Sequence, residues 1–478
     1  MKRIALCALL AGLGACVGPN FHRPDPPRVD RYTAEPLPAE TASAPGPGGG
    51  AQRFLRETDV PRAWWRLFKS EELNGLVADA LRANPNVWSA QAALRQALEN
   101  AAAQRGTYFP AIEGRFDASR NHDALGVLSP TLASPESYFN LFRPQVVVSY
   151  VPDVFGANRR QVESLLAQAD TNRHLLDATY LTLTANVVAA AVQEAGLRSQ
   201  IAATTRVVAL AREALAVMRR ELELGAIAAG DVFAQEAVLA QWETGLPALN
   251  RQLRQNEDAL AALTGRLPAQ LQPLHLELDD LALPGDLPLG VPSRLVERRP
   301  DVRAAEAQLH AATAAVGVSI ANLLPQFVIT GDIGSSATLM GDLFKAGTGF
   351  WSLGASASQT LFAGGTLLHR KRAADAALDQ AAALYKAAVL TAFQNVADAL
   401  HALQSDADAM AAATRFAAAS KDSLEVVRAQ LELGSVSPLA LINAEQSFQQ
   451  AQVALTQART NRLGDTAALF QALGGAVQ

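Results

Sequence analysis

The sequence predicts a mainly α-helical protein carrying a few two-faced strands, a portion suited to a membrane β-barrel, and built from one unit used twice. Three observations support this. The stretch from Ala157 to Leu224 has no proline and a single glycine, Gly196. A second stretch, Thr366 to Leu433, has neither residue. Ahead of each stretch lie two short segments that alternate apolar and polar residues.

As one α-helix, Ala157–Leu224 would reach about 100 Å at about 1.5 Å per residue. Its seam runs through Leu176, Tyr180, Leu183, Val187 and Ala190, then Leu197, Ile201, Thr204, Val208, Ala211, Leu215, Met218 and Leu222. Steps of three and four residues alternate, the period of a helix supercoiled against neighbours. Glu194 is the one polar break. Gly225 stops the helix, and a second one returns from Asp231. The long helix of the second copy has its seam at Val389, Val396, Ala399, Leu403, Met410, Ala417, Leu424, Val427 and Leu431.

The chain opens as a targeting signal. Lys2 and Arg3 precede an apolar run, Ile4–Gly12, too short for the roughly 20 residues that span a bilayer. Leu13-Gly14-Ala15-Cys16 places small residues before a cysteine and resembles a bacterial lipobox, which implies cleavage after residue 15 and lipid on Cys16. Cys7 then leaves with the signal and no disulfide is possible. An ordinary secretory signal with a chance cysteine is the alternative. Residues 16–60, rich in Pro, Gly and Ala, read as a lipidated N-terminal tether or surface strap.

Lys plus Arg number 41 against 46 Asp plus Glu, so nothing in the charge suggests nucleic acid. The sequence shows no unbroken apolar run of about 18 residues, which argues against a transmembrane helix.

The duplication is legible residue by residue. Asn84-Pro85-Asn86-Val87 recurs as Arg299-Pro300-Asp301-Val302, and at the same spacing Ala90 meets Ala305, Leu94 meets Leu309 and Pro110 meets Pro325. At a slightly shorter spacing Asn186-Val187 recurs as Asn395-Val396, Leu222–Gly225 as Leu431–Gly434, and Glu236 as Glu445. Each repeat reads helix, strand pair, long helix, turn, helix. The expected repeats are 61–265 and 293–475, with an equatorial linker at 266–292. Strands are expected at about 110–120, 143–152, 325–335 and 350–361, and long helices at 157–224 and 366–433.

The strands alternate: Ile112, Gly114, Phe116 and Ala118 against Glu113, Arg115, Asp117 and Ser119; Val146, Val148 and Tyr150 against Gln145 and Ser149. In the second copy Phe327, Ile329 and Ile333 alternate with Thr330 and Asp332, and Trp351, Leu353, Ala355 and Ala357 with Ser352, Ser356 and Ser358. Segments of about ten residues with one apolar face suit a membrane barrel with a wet lumen, and equally two half-buried soluble hairpins. An exported chain favours the barrel. Four strands cannot close one, since membrane barrels need about eight and tolerate no open edge in lipid, so several chains must pool their strands. Trp351 and Phe350 are expected at the interfacial girdle.

Cys16-Val17-Gly18-Pro19-Asn20-Phe21-His22-Arg23-Pro24, Trp64-Trp65-Arg66-Leu67-Phe68, Leu73-Asn74-Gly75-Leu76, Ala80–Pro85 and Glu297-Arg298-Arg299-Pro300-Asp301-Val302 with Ala305-Glu306 carry a resemblance. Together they resemble the TolC-like outer membrane factors of tripartite efflux systems, and within them the lipoprotein (NodT-type) subgroup. The resemblance implies a homotrimer whose twelve strands form an outer-membrane β-barrel continuous with a periplasmic α-barrel. It implies a passive duct for small molecules, docked on a periplasmic adaptor and an inner-membrane pump of the resistance-nodulation-division class. It places Leu224, Gly225, Leu433 and Gly434 at the tips that meet the adaptor. The family lines its periplasmic constriction with carboxylates six and nine residues after the tip glycine. Here those positions are Asp231 and Ala234, then Ala440 and Asn443, so Asp231 and Asn443 are the gate candidates and only one is acidic. Asp231 is equally an ordinary helix N-terminal cap.

No nucleophile elbow, P-loop, histidine metal pair or dinucleotide fingerprint occurs, and the seven histidines are scattered, so neither an enzyme nor a cofactor site is expected. The competing functions are a type I secretion channel and a structural helical lipoprotein without a conduit.

Overall fold

The computed structural model describes residues 17–122, 138–270 and 274–475. Cys16 and the signal at 1–15 lie outside the described residues.

In chain order the elements are β1 (Arg53–Arg56), α1 (Glu71–Ala83), α2 (Pro85–Arg105), β2 (Ala111–His122), β3 (Tyr138–Tyr150), α3 (Ala157–Glu223), α4 (Ala229–Leu263), β4 (Asp286–Leu289), α5 (Pro292–Arg298), α6 (Pro300–Ala321), β5 (Gln326–Ser335), β6 (Gly349–Ser358), α7 (Thr366–Glu432) and α8 (Pro438–Ala472). The two long helices have 67 residues each and the two returning helices 35 each, so the duplicated pattern folds as two copies of matched dimensions. The chain forms two compact units, one made of the residues up to Arg23 with Leu94–Asn172 and Ala305–Tyr385, the other of Pro24–Ala93, Arg173–Ala304 and Lys386–Gln478.

Each repeat begins with a broken helix. Asn84 and Arg299 precede prolines, and their extended ψ angles of 123° and 121° interrupt the helix as the proline ring requires. Their buried side chains then perform one task in both copies. Asn84 Nδ2 donates to the Leu263 carbonyl at 2.9 Å, and Arg299 Nη1 donates to the Ala472 carbonyl at 2.8 Å. Leu263 and Ala472 are the last residues of α4 and α8, whose carbonyls have no partner within the helix. The start of each repeat is thereby tied to its end.

The seam read from sequence is the buried stripe of the second unit: Leu183, Val187, Leu197, Val208, Ala211 and Leu215 of α3, and Val396, Leu403 and Met410 of α7, are buried. Gly196, the one glycine of α3, faces Thr460 of α8; a Cβ there would sit 2.4 Å from the threonine Oγ1. It is absent of side chain because two helices touch. By length and composition alone α3 is long and apolar enough to cross a membrane, a property that buried core helices share. Small polar residues such as Thr182 and Asn186 interrupt any unbroken apolar run there, and Val187, Val188, Ala191 and Val192 of the same stretch are buried in the second unit.

The expected surface strap is more than a surface feature. β1 pairs in parallel with β4, within the stretch read as linker, and Gln52 just before β1 is fully buried. Arg462 of α8, also buried, reaches it with a fork of donors: Nε to Gln52 Oε1 (3.2 Å), Nη2 to Thr41 Oγ1 (2.9 Å) and the Gly50 carbonyl (2.9 Å), and Nη1 to the Gly48 carbonyl (3.1 Å).

The other four strands form one antiparallel sheet in the order β2-β3-β5-β6. β3 starts five residues before its expected start at 143, because Pro144 does not end it. Pro144 has no N–H, so the β3–β5 ladder is broken there and resumes in the same register at Phe142 opposite Ala337.

Candidate functional site: the two-faced sheet and the hairpin turns

Register decides which residues share a face of the sheet. Gly114, Val146, Ile333 and Trp351 lie opposite one another across the four strands, as do Val148, Gly331 and Leu353. This row is apolar and open to the surroundings; Trp351 is 76% and Ile333 64% exposed. The opposite face carries Glu113, Arg115, Asp117, Arg143, Gln145, Asp332 and Ser352, with Gln145 donating to Asp117 at 3.3 Å and Ser352 to Asp332. An exposed apolar face opposite a hydrogen-bonded polar face is the arrangement that a barrel wall between lipid and water requires. Phe350 departs from the girdle reading. It is adjacent to Trp351 in a strand and so points to the polar face, where the Arg143 guanidinium lies 5.6 Å from its ring centre. Among the described residues, no strand pairs with the outer edge of β2 or of β6.

The residue after Cys16 is firmly held in the same unit as the sheet. Val17 N–H donates to the Phe155 carbonyl (3.4 Å), shortly after β3 ends. Buried Arg160 donates to Asn20 Oδ1 (2.6 Å), the Val17 carbonyl (3.4 Å) and Glu163 (2.8 Å), and Glu163 in turn contacts His310 at 2.9 Å. The Phe21 ring stacks on His310 with centroids 4.4 Å apart. Partial burial by itself would raise the pKa of Glu163; the bonds to Arg160 and His310 outweigh that and leave it below the usual carboxylate range.

At the other ends of the long helices the two turns are copies. Gly225 and Gly434 take the left-handed conformation, with φ of 71° and 69°. Around them Gly225 N–H donates to the Leu222 carbonyl and Ala226 N–H to that of Glu221, while Gly434 and Ser435 do the same to Leu431 and Gln430, the paired bonds of a Schellman stop. Leu224 and Leu433, the residues before each glycine, are 71% and 80% exposed. Leu215, Met218 and Val232 form a small core under the first turn, and Leu439 of α8 packs both on it and on Leu210, Ala214 and Ile442. An ion pair crosses each hairpin at matching places, Arg219–Glu236 at 2.7 Å and Arg428–Glu445 at 3.3 Å. The Glu236–Glu445 match was legible in the sequence; their arginine partners were not.

Asp231 acts as a cap. Its carboxylate accepts from the Ala228 N–H at 3.3 Å, because alanine at the N-cap offers no oxygen of its own. In the second copy Ser437 caps α8 directly by accepting from Ala440 N–H at 3.4 Å, so the equivalent position needs no acid. The two copies therefore each keep one half of a capping box. Asp231 and Asn443 are both exposed.

Two buried ionic clusters had little sequence signal beyond the break at Glu194. Glu194 bonds Arg198 at 2.7 Å, which also reaches Glu257 at 3.1 Å; burial pushes the Glu194 pKa up against the pull of Arg198. Asp406 of α7 is pushed up to about 7, first by burial and then by the neighbouring Asp465 carboxyl, with Arg462 pulling the other way.

The sequence matches the outer membrane efflux protein family over residues 76–266 and 291–475, which is most of the chain and both repeats. The chain belongs to this family. Its relatives include the pyoverdine export outer membrane protein OpmQ of Pseudomonas putida, 27% identical over 93% of this chain and 94% of that protein. Nodulation protein T of Rhizobium leguminosarum is 27% identical over 99% of this chain and 93% of its own length. Among solved structures, the outer-membrane channel OprN superposes with a TM-score of 0.83 at 27% identity, covering 96% of this chain and 99% of that one. This efflux protein is thus an outer-membrane transport component with the fold of known outer-membrane channels, and the role of its family is transport.

Proposed function

We propose that the efflux protein works as a passive trimeric duct that carries small molecules from a periplasmic pump to the exterior. One observation carries the reading: a four-stranded sheet with one apolar face, one polar face and two edges that no other described strand pairs. Such edges are not stable in lipid, and pooling the strands of three chains makes a closed barrel of twelve, within the range membrane barrels use. α3 and α7 continue from the strands into the second unit, as the staves of an α-barrel would. The energy comes from an inner-membrane pump of the resistance-nodulation-division class, through a periplasmic adaptor that meets the exposed Leu224 and Leu433 beside Gly225 and Gly434. Asp231 and Asn443 are the gate candidates nearest those turns. Cys16, freed by cleavage of residues 1–15, carries the lipid, and the grip of Arg160 on Val17 and Asn20 holds the following residues in place. Residues 16–60 then form the strap, and 61–265 and 293–475 the repeats on either side of the 266–292 linker.

Single-channel recording in a planar bilayer tests the duct. The purified trimer is expected to conduct, weakly when its turns are intact and more after they are loosened. Absence of conductance in both forms would leave a structural lipoprotein. For the anchor, Cys16→Ser is expected to abolish palmitate labelling while trimers still form.

A further inference from the structure

The sheet contains the plan of its own continuation. β2 and β5 start immediately after Pro110 and Pro325, and Ser149 of β3 and Ser358 of β6 both lie eight residues before Ala157 and Thr366, the first residues of the long helices. With the strands matched in this way, Ala111 opposite Ser149 in the first hairpin becomes Gln326 opposite Ser358 in the second, and both pairs are observed. The two hairpins therefore have one register. They meet at an inner joint, β3 on β5, where Gln145 faces Gly334, Val146 faces Ile333 and Val148 faces Gly331. The free edges are β6, which is equivalent to β3, and β2, which is equivalent to β5.

We propose that β6 joins β2 of a second copy of this chain in the register of the inner joint, so that Ala355 faces the partner's Ala118 and Ala357 faces the partner's Phe116. This rests on the multi-chain barrel reading above and adds to it the residues that meet. Three features agree with it. The pairing sets Ala355 and Ala357 on apolar partners, Ser356 against the partner's Asp117, and Leu353 and Trp351 opposite the partner's Arg120 and the partner's His122 towards one end of the joint, whereas a slip of one residue would turn lipid-facing side chains into the lumen. At the inner joint a glycine allows close approach, since a Cβ on Gly334 would lie 2.4 Å from the Pro144 carbonyl oxygen. At the outer joint the glycine has changed sides, with Gly354 facing the partner's Ser119. Finally, the residue matching Pro144 is Leu353, which has an N–H, so the ladder between copies runs unbroken where the ladder within the chain is interrupted.

Cysteine pairs test this in isolated outer membranes treated with copper phenanthroline and run on non-reducing gels. Val146→Cys with Ile333→Cys, the same joint inside one chain, reports that the oxidant reaches the sheet. Ala118→Cys with Ala355→Cys is expected to give covalent dimers and trimers at least tenfold above Phe116→Cys with Ala355→Cys and above either single variant, which controls for Cys16. If native mass shows trimers but the shifted pair cross-links as well or better, or neither pair does, the register is wrong and the trimer stands. If native mass shows monomers, the barrel reading fails and this joint fails with it.

Discussion

Replacing Arg462 by methionine keeps most of the side chain's length and removes every donor it offers to the strap. Five bonds between 2.9 and 3.5 Å are lost, to Thr41 Oγ1, Gln52 Oε1 and the carbonyls of Ala42, Gly48 and Gly50. Thr41 and Gln52 are buried, so their oxygens are left without that partner and without water, at about 1–3 kcal/mol each. The two glycine carbonyls are only partly buried and can be rehydrated. Relief of the buried guanidinium's own desolvation returns part of the cost. The net loss is about 3 kcal/mol, and at about 1.4 kcal/mol per factor of ten the strap should open roughly a hundredfold more often. Hydrogen exchange read by mass spectrometry sees this directly, because Gln52 N–H donates to Thr41 Oγ1 and Thr41 N–H to the Gln52 carbonyl. Exchange of these two amides should accelerate by about two orders of magnitude while the middle of α7 is unchanged. Arg462→Lys should fall between, since one ammonium cannot span the fork. A change below about threefold for Arg462→Met would refute the claim that this arginine holds the strap.

Asp406 has a folded-state pKa raised to about 7 from 3.8, so the folded protein binds its proton more tightly than the unfolded chain. Stability from this group is therefore greatest below about pH 4 and is lost as pH rises to about 7; because the group is about half solvated, the loss is about 1–2 kcal/mol. Asp406→Asn should raise the thermal midpoint at pH 8 and flatten its dependence between pH 5 and 7; an unaltered profile would show the carboxyl is not protonated in the fold. Gly196→Ala gains helix propensity but drives a Cβ into Thr460, whose hydroxyl is tied to the Thr456 carbonyl at 2.8 Å. It should cost about 1–2 kcal/mol, and Thr460→Ala should recover most of it in a double-mutant cycle. Asp231→Arg removes the acceptor for Ala228 N–H and sets a cation on a helix N-terminus; the cap role predicts a loss of about 1 kcal/mol in the stability of the turn. Altered ion selectivity at unchanged stability would instead place Asp231 in the gate.

Much of the fold was legible along the chain because it depends on local rules. Proline-free runs, three-and-four spacing and the stop at Gly225 and Gly434 determined the long hairpins, and the matches from Asn84 to Glu445 determined the duplication. Period-two alternation marked the strands, though Pro144 hid the first part of β3, since a proline ends a ladder only on the side where its N–H would have donated. The family motifs were equally plain.

Other features needed the third dimension. Whether Glu113 and Asp332 share a face depends on the register between strands far apart in sequence, and so does the placing of Phe350 against Arg143. Arg462 looked like any helix arginine until the strap came to lie on it, and Gly196 like a weak point until Thr460 came close. The open edges of β2 and β6 are likewise a property of the sheet and of no single segment. Alternation and periodicity are written in neighbouring residues. Which strand meets which, and which buried charge finds a partner, depends on loop closure and packing between distant parts of the chain, and only the tertiary structure decided those.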